Sequence, residues 1–220
     1  MSNARAMEAT RKLTRPGGPV DYGPYLSRLL IRVMRELAQG RPLVKERVDQ
    51  IIGNLGIARE GAYRFLSEVA ERDADGNVFG IMGLSLNETP HHVSVNGMRM
   101  STWCAGDALF VPALIRRIVT VESKSPVSGE KVRLKVSPQG VEEAHPVGAV
   151  VSIVIVDPGE ENLGSVEAIW GTFCHHIFFF ASRKEAERWA AGRDDIELLS
   201  VEEAYQLVRL FSSRFLAYGE

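Results

Sequence analysis

Cysteine is scarce in this chain, which has two among 220 residues, Cys104 and Cys174. Small secreted domains that rely on disulfides are dense in cysteine, so a disulfide framework is excluded as the main source of stability. Neither cysteine belongs to a Cys-x-x-Cys pair, which leaves a zinc ribbon or a thioredoxin-like redox motif without support. Each cysteine is therefore either a small apolar residue of the core or a residue with a specific chemical role.

Long apolar runs and an excess of basic charge are also missing. The longest apolar runs, 149–156 and 177–181, have the length of strands, whereas a membrane helix needs about 20 apolar residues. Residues 1–13 are polar and lack the apolar core of a secretory signal. The net charge of −2 offers no basic surface to nucleic acid. We therefore expect a cytoplasmic protein, with reduced thiols and no membrane or nucleic-acid partner.

The predicted fold class is α+β, with a composition of 45% hydrophobic residues that can bury a full core. Residues 1–20 are expected to be a flexible segment. Apolar residues at helical spacing predict helices over 25–37, 44–52 and 59–70, and Asp75-Gly76-Asn77 predicts a hairpin turn after them. Three helices followed by a hairpin are typical of a winged helix, so 21–90 are predicted to form a winged-helix-like module.

Residues 91–220 are predicted to form a mixed α/β domain with antiparallel strands. Asn96-Gly97 is a strong hairpin signal between two short strands. A helix is expected over 105–115, with Pro112 as its kink or end. Two capping boxes, each a serine followed three residues later by glutamate, are expected to open the last two helices. The predicted strands are 92–95, 98–102, 118–123, 132–136, 149–156 and 173–180, and the capping boxes are Ser182 with Glu185 and Ser200 with Glu203.

The two cysteines and one carboxylate form a candidate site. Cys104 and Asp107 are three residues apart at the entry to a predicted helix, so both can contact one ligand. The helix N-terminus is expected to lower the pKa of Cys104. Two soft sulfur ligands beside a carboxylate can bind a soft metal and move a proton in the same place. Trp103 and Phe110 are the expected walls of the substrate pocket.

Three alternatives to this site are compatible with the sequence. Strand alternation over 173–180 would place Cys174, His176 and Phe178 on one face, where Cys174 is either core or ligand. A zinc site could include His91, His92, His175 and His176, but none has the usual ligand spacing. A winged-helix regulator could sense a soft metal through the cysteines. Its third helix, however, would mix basic and acidic residues, and its hairpin tip has no lysine or arginine.

Three sequence blocks in this order resemble the organomercurial lyase (alkylmercury lyase) family. They are residues 103–115 (WCAGDALFVPALI), 136–138 (VSP) and 173–182 (FCHHIFFFAS). The resemblance implies a winged-helix-like module followed by a mixed α/β catalytic domain. It assigns catalysis to Cys104, Asp107 and Cys174, with mercury bound by both sulfurs and with Asp107 as a further candidate ligand. It implies no required cofactor.

The implied reaction breaks a carbon–mercury bond and gives a hydrocarbon and Hg(II). Thiolates bound to mercury make the carbon basic, and Asp107 is expected to take a proton from a thiol and give it to that carbon. Burial would raise the basicity of Asp107 for this role. Low-molecular-weight thiols or a mercuric reductase would then take Hg(II). The chain departs from the family pattern at two positions. Family members commonly have a bulkier residue in place of Gly106, and some have a further cysteine in place of His175. The preference for alkyl or aryl substrates therefore stays open.

Overall fold

The computed structural model describes residues 3–155 and 165–218, and its helices and strands are bounded as follows. The helices are α1 (Ala4–Thr14), α2 (Gly23–Leu37), α3 (Lys45–Asn54), α4 (Arg59–Val69), α5 (Ala105–Ile115), α6 (Val166–Thr172), α7 (Arg183–Ala190) and α8 (Val201–Leu216). The strands are β1 (Ala70–Arg72), β2 (Val78–Ile81), β3 (Leu84–Ser85), β4 (His91–Val95), β5 (Met98–Thr102), β6 (Val119–Lys124), β7 (Lys131–Ser137), β8 (Gly140–His145), β9 (Val150–Val154), β10 (Phe179–Phe180) and β11 (Ile196–Ser200).

The N-terminal part contains the three predicted helices, α2 to α4, followed by the antiparallel pair β1 and β2. Within residues 1–20, which are expected to be flexible, residues 4–14 form helix α1. Ala6, Thr10 and Leu13 recur at helical spacing, are buried and pack α1 against α8. The prediction missed this apolar face because it is short and interrupted by charged residues.

All strand pairs in the two sheets are antiparallel among the described residues, which confirms the α+β class. The large sheet has the order β1-β2-β3-β5-β4-β6-β7-β8, and the small one has the order β10-β9-β11. Strands on both sides of residue 90 therefore belong to one sheet. The division into modules over 21–90 and 91–220 stays a prediction.

Helix α5 lies in the centre of the molecule. Ten of its eleven residues are buried, and Asp107 is the exception. A helix that is apolar on all sides is typical of a protein core, and α5 packs against α8 and against strands of both sheets. The helix runs past Pro112 to Ile115 and ends at Arg116, whose φ of 55° is left-handed. This central position brings the N-terminus of α5 close to both sheets.

The segment predicted as a strand over 173–180 is corrected by the structure. Residues Cys174–His176 form a short 3-10 helix directly after α6, and only Phe179–Phe180 pair as β10. The reason is local hydrogen bonding, since the N–H of His176 donates to the carbonyl of Phe173 at 2.9 Å. Helix α6 and strands β3, β8 and β11 were not predicted. The end of the strand predicted over 149–156 lies outside the described residues.

The two capping boxes open α7 and α8 as predicted.

None of the helices in 3–155 and 165–218 has the length and apolar character needed to cross a bilayer.

Candidate active site

Cys104 is the residue that caps the N-terminus of α5. Its backbone is extended, and its N–H donates a hydrogen bond to Oδ2 of Asp107 at 3.1 Å. Its carbonyl accepts a hydrogen bond from the hydroxyl of buried Thr102 at 3.1 Å. An acidic residue in the first turn of a helix commonly turns back to the capping residue. This local geometry holds the carboxylate of Asp107 beside Cys104.

The second cysteine block meets the first at the same helix end. The N–H of Ala105 donates to the carbonyl of Ile177 at 3.1 Å, which ties α5 to the segment after the short 3-10 helix. Cys174 then lies with its Sγ 3.9 Å from Oδ2 of Asp107. The two sulfurs and a carboxylate oxygen all lie within 4.8 Å of one another. The structure thus brings together the three residues that the sequence singled out.

Both cysteines are buried, and neither forms a disulfide. The pKa of each thiol is raised. Burial raises the pKa of Cys104 well above its ordinary value. For Cys174, the hydrogen bond with Cys104 lowers the pKa, but burial and the charge of Asp107 outweigh it and the net direction is upward. The prediction of a lowered pKa at Cys104 was wrong, because desolvation of the sulfur exceeds the effect of the helix N-terminus.

Asp107 has a raised pKa, as predicted. Burial raises its pKa from the ordinary 3.8 to about 6, although hydrogen bonds from Cys104 and Cys174 oppose the rise. A carboxyl group with a pKa near neutrality can accept a proton and return it at physiological pH.

A largely apolar cavity of about 150 Å³ adjoins the sulfurs. Phe110 belongs to its wall, as predicted, but Trp103 does not line it. The indole of Trp103 instead lies against Trp170, with ring centroids 5.9 Å apart. Gly106 lines the cavity, and a Cβ at this position would lie 3.5 Å from the Sγ of Cys104 without a clash. A bulkier residue at this position would therefore narrow the cavity beside the sulfur.

Histidine does not join this cluster. Within the described ranges, only Cys104, Asp107 and Cys174 form a group of three metal-ligating side chains with convergent ligand atoms. His91 is buried, and its Nδ1 forms a hydrogen bond of 2.9 Å with the hydroxyl of Ser123. Burial lowers the pKa of His91 to about 4. His175 is exposed beside Trp170. The zinc alternative therefore has no support from the described residues.

Two residues that contact Trp103 or Asp107 were missed in the sequence. Glu71 accepts a hydrogen bond from the indole of Trp103, and Gly83 packs against the carboxyl of Asp107. No local pattern points to Glu71, because its partner lies 32 residues away. Gly83 had a weak signal, since a glycine between two short apolar segments often marks a hairpin turn.

These features define a class of site, a buried dithiol with an adjacent carboxyl group in an apolar cavity, set in an α+β fold. Such a site has the ligands to bind a soft metal and a carboxyl group that can transfer a proton beside it.

Comparisons with known proteins extend this description. The alkylmercury lyase family model matches residues 84–212, more than half of the chain and including all three site residues. An alkylmercury lyase of Pseudomonas putida is 35% identical over 192 residues, which cover 87% of this chain and 86% of that protein. One from Streptomyces lividans is 33% identical over 97% of this chain and 95% of its own length. One from Bacillus cereus is 41% identical over 66% and 63%, respectively.

The chain therefore belongs to the alkylmercury lyase family. Its fold is similar to that in the crystal structure of the mercury-bound form of MerB2, with a TM-score of 0.73 at 18% identity, over 96% of this chain and 99% of that one. These findings support the lyase interpretation and not the regulator.

Proposed function

We propose that Cys104, Cys174 and Asp107 cleave the carbon–mercury bond of an organomercurial substrate. The two sulfurs bind mercury, and Asp107 carries the proton to carbon. Family membership supports the reaction, and one observation carries the assignment of residues. That observation is the convergence of two buried sulfurs and one carboxylate oxygen within 4.8 Å beside an apolar cavity.

In the first step, substrate arrives as a thiolate complex, R–Hg–SR′, and exchanges ligands. One cysteine thiol replaces R′S⁻, which leaves with that cysteine's proton as R′SH. The second cysteine sulfur then adds to mercury and passes its proton to Asp107. The pKa values support this assignment, because the buried thiols have raised pKa values and carry protons, whereas Asp107 with a pKa of about 6 is mostly ionised at pH 7.

In the second step, protonated Asp107 transfers its proton to the carbon bound to mercury. The electron pair of the carbon–mercury bond becomes the new carbon–hydrogen bond, and Hg(II) stays on the two cysteine sulfurs. Two soft sulfur donors push electron density through mercury towards the carbon, which makes the carbon basic. An acid held within reach of that carbon then completes the cleavage. The products are R–H and Hg(II) bound by Cys104 and Cys174.

Release of Hg(II) requires a further exchange. We propose that two low-molecular-weight thiols take mercury and return one proton to each cysteine, or that a mercuric reductase accepts it, and that no cofactor is needed. The site requires reduced thiols, which favours the cytoplasm. We propose no nucleic-acid or membrane partner. The pairing of Arg59 on α4 with Asp49 at 2.9 Å supports this, since it leaves less free positive charge for phosphate.

The experiment that tests this function mixes the protein with phenylmercury and excess thiol and measures benzene in the headspace. We expect about one benzene per phenylmercury consumed over many turnovers, and none from thiol alone. Tight mercury binding without benzene would contradict the proposal. Nanomolar, sequence-specific binding of duplex DNA at physiological salt would instead favour the regulator.

A further inference from the structure

Strands β2 and β3 are joined by a two-residue turn that reaches the active site. Ile81 pairs with Leu84, and the turn residues Met82 and Gly83 have φ values of 39° and 94°. Positive φ at both central residues is the geometry of a type I′ turn, which matches the twist of the strands. The side chain of Met82 lines the cavity.

Gly83 lies directly against the carboxyl group of Asp107. A Cβ at this position would lie 2.5 Å from Cγ and 2.6 Å from Oδ1 of Asp107, closer than unbonded atoms approach. The carbonyl of Gly83 also accepts a hydrogen bond from the N–H of Trp103 at 2.9 Å. The turn is thus attached to the residue before Cys104 and covers one side of the carboxyl group.

The opposite oxygen of Asp107 faces the thiols. Oδ2 accepts the hydrogen bond from the N–H of Cys104 at 3.1 Å and lies 3.9 Å from the Sγ of Cys174, while Oδ1 lies against Gly83. We propose that Gly83 is a positioning residue: its missing side chain lets the turn close on Asp107 and keeps Oδ2 directed at the two sulfurs. This inference rests on the proposed function of Asp107 as the proton carrier.

A positive φ alone would favour glycine at this position, so the test needs a matched control. Gly97 provides one, because it is the second residue of the Asn96–Gly97 turn between β4 and β5. Its φ is 81°, that of Asn96 is 50°, and a Cβ at Gly97 would meet nothing within 4 Å. Gly97→Ala therefore has a similar backbone cost to Gly83→Ala but no contact with the site.

The first measurement compares benzene release from phenylmercury by Gly83→Ala and Gly97→Ala across pH. We expect Gly97→Ala to stay within about twofold of wild type. We expect Gly83→Ala to lose about 10²-fold in kcat, the scale for a misplaced group. The acidic side of its pH–rate profile should shift, and stoichiometric binding of Hg(II) should be kept. Equal kcat values and pH profiles for the two variants would overturn the inference.

The second measurement needs no activity and also covers a Gly83→Ala variant that does not fold. We expect Gly83→Ala to unfold at a lower denaturant concentration than Gly97→Ala. The Asp107→Gly background removes the clashing side chain. When each of the two changes is made separately in that background, the difference between them should disappear. A difference that persists there would overturn the contact. Absence of benzene from the wild-type protein would contradict the proposed function alone, since this cycle still tests Gly83.

Discussion

The indole N–H of Trp103 donates a hydrogen bond to Oε1 of Glu71. Glu71 lies in β1, the strand at one edge of the large sheet. The other oxygen of this carboxylate accepts hydrogen bonds from the hydroxyl of Ser85, at 2.9 Å, and from the side-chain amide of Asn87. Glu71 therefore links β1 and residues 85–87 to the residue that precedes Cys104. The N-terminal part is thus joined to the start of α5 through this carboxylate.

We expect Trp103→Phe to lower the free energy of unfolding by about 1–3 kcal/mol, because it removes a hydrogen bond to a charged acceptor and keeps most of the ring. Urea unfolding of Trp103→Phe, Glu71→Leu and the double variant measures the interaction between the two side chains. The two losses should be non-additive by about 1 kcal/mol or more. Strict additivity would show that the two side chains act independently.

Local spacing in the sequence groups two of the three residues of the candidate site, but not the third. Cys104 and Asp107 lie one helical turn apart, so local spacing alone predicts that they share a ligand. Their meeting with Cys174 depends on the hydrogen bond from Ala105 to the carbonyl of Ile177, which joins residues more than 70 positions apart. No local pattern contains that information, and only the family resemblance indicated it.

The predictions that were wrong also depended on contacts between distant parts of the chain. Apolar residues over 173–180 fit a buried strand, but a short apolar run does not distinguish a strand from a helical turn in the core. The helix N-terminus at Cys104 was predicted correctly, yet the sign of its pKa shift depends on burial by distant segments. Trp103 was expected in the pocket because of its sequence neighbour, whereas its direction is set by Glu71.

Cys104→Ser and Cys174→Ser should each abolish benzene release, because a hydroxyl is a hard, weakly acidic ligand that cannot replace a thiolate on mercury. Serine is close to cysteine in size, so both variants should fold, and circular dichroism with urea unfolding serves as the control. Turnover by either variant within about tenfold of wild type would exclude a mechanism with two sulfurs.

Asp107 should make stability depend on pH. Its pKa is about 6 in the folded protein and 3.8 ordinarily, so the folded state binds the proton more tightly. The buried carboxylate therefore destabilises the fold above pH 6, and this cost disappears as the pH falls towards 4. Asp107→Asn should be more stable than wild type at pH 7.5, by at most about 3 kcal/mol, and the difference should shrink at low pH.

Urea unfolding between pH 4.5 and 8 in the presence of reductant measures this dependence. Asp49 provides a control of opposite sign, because the hydrogen bonds from Lys45 and Tyr63 lower its pKa. Asp49→Asn should lose stability by a nearly constant amount across this range, because Asp49 takes up its proton only below its ordinary pKa of 3.8. A pH-independent difference between Asp107→Asn and wild type would mean that the pKa of Asp107 is not raised.

Asp107→Asn should also separate mercury binding from bond cleavage. Asparagine keeps the size of the side chain, and its carbonyl oxygen can still accept the hydrogen bond from the N–H of Cys104, so the two sulfurs should stay in place. It cannot accept and return a proton, so benzene release should fall by about 10²-fold or more. Stoichiometric binding of phenylmercury, measured by titration of the free thiols, should be unchanged. Normal benzene release would show that the proton comes from a thiol or from water, whereas loss of binding together with cleavage would make Asp107 a mercury ligand or a structural cap of α5.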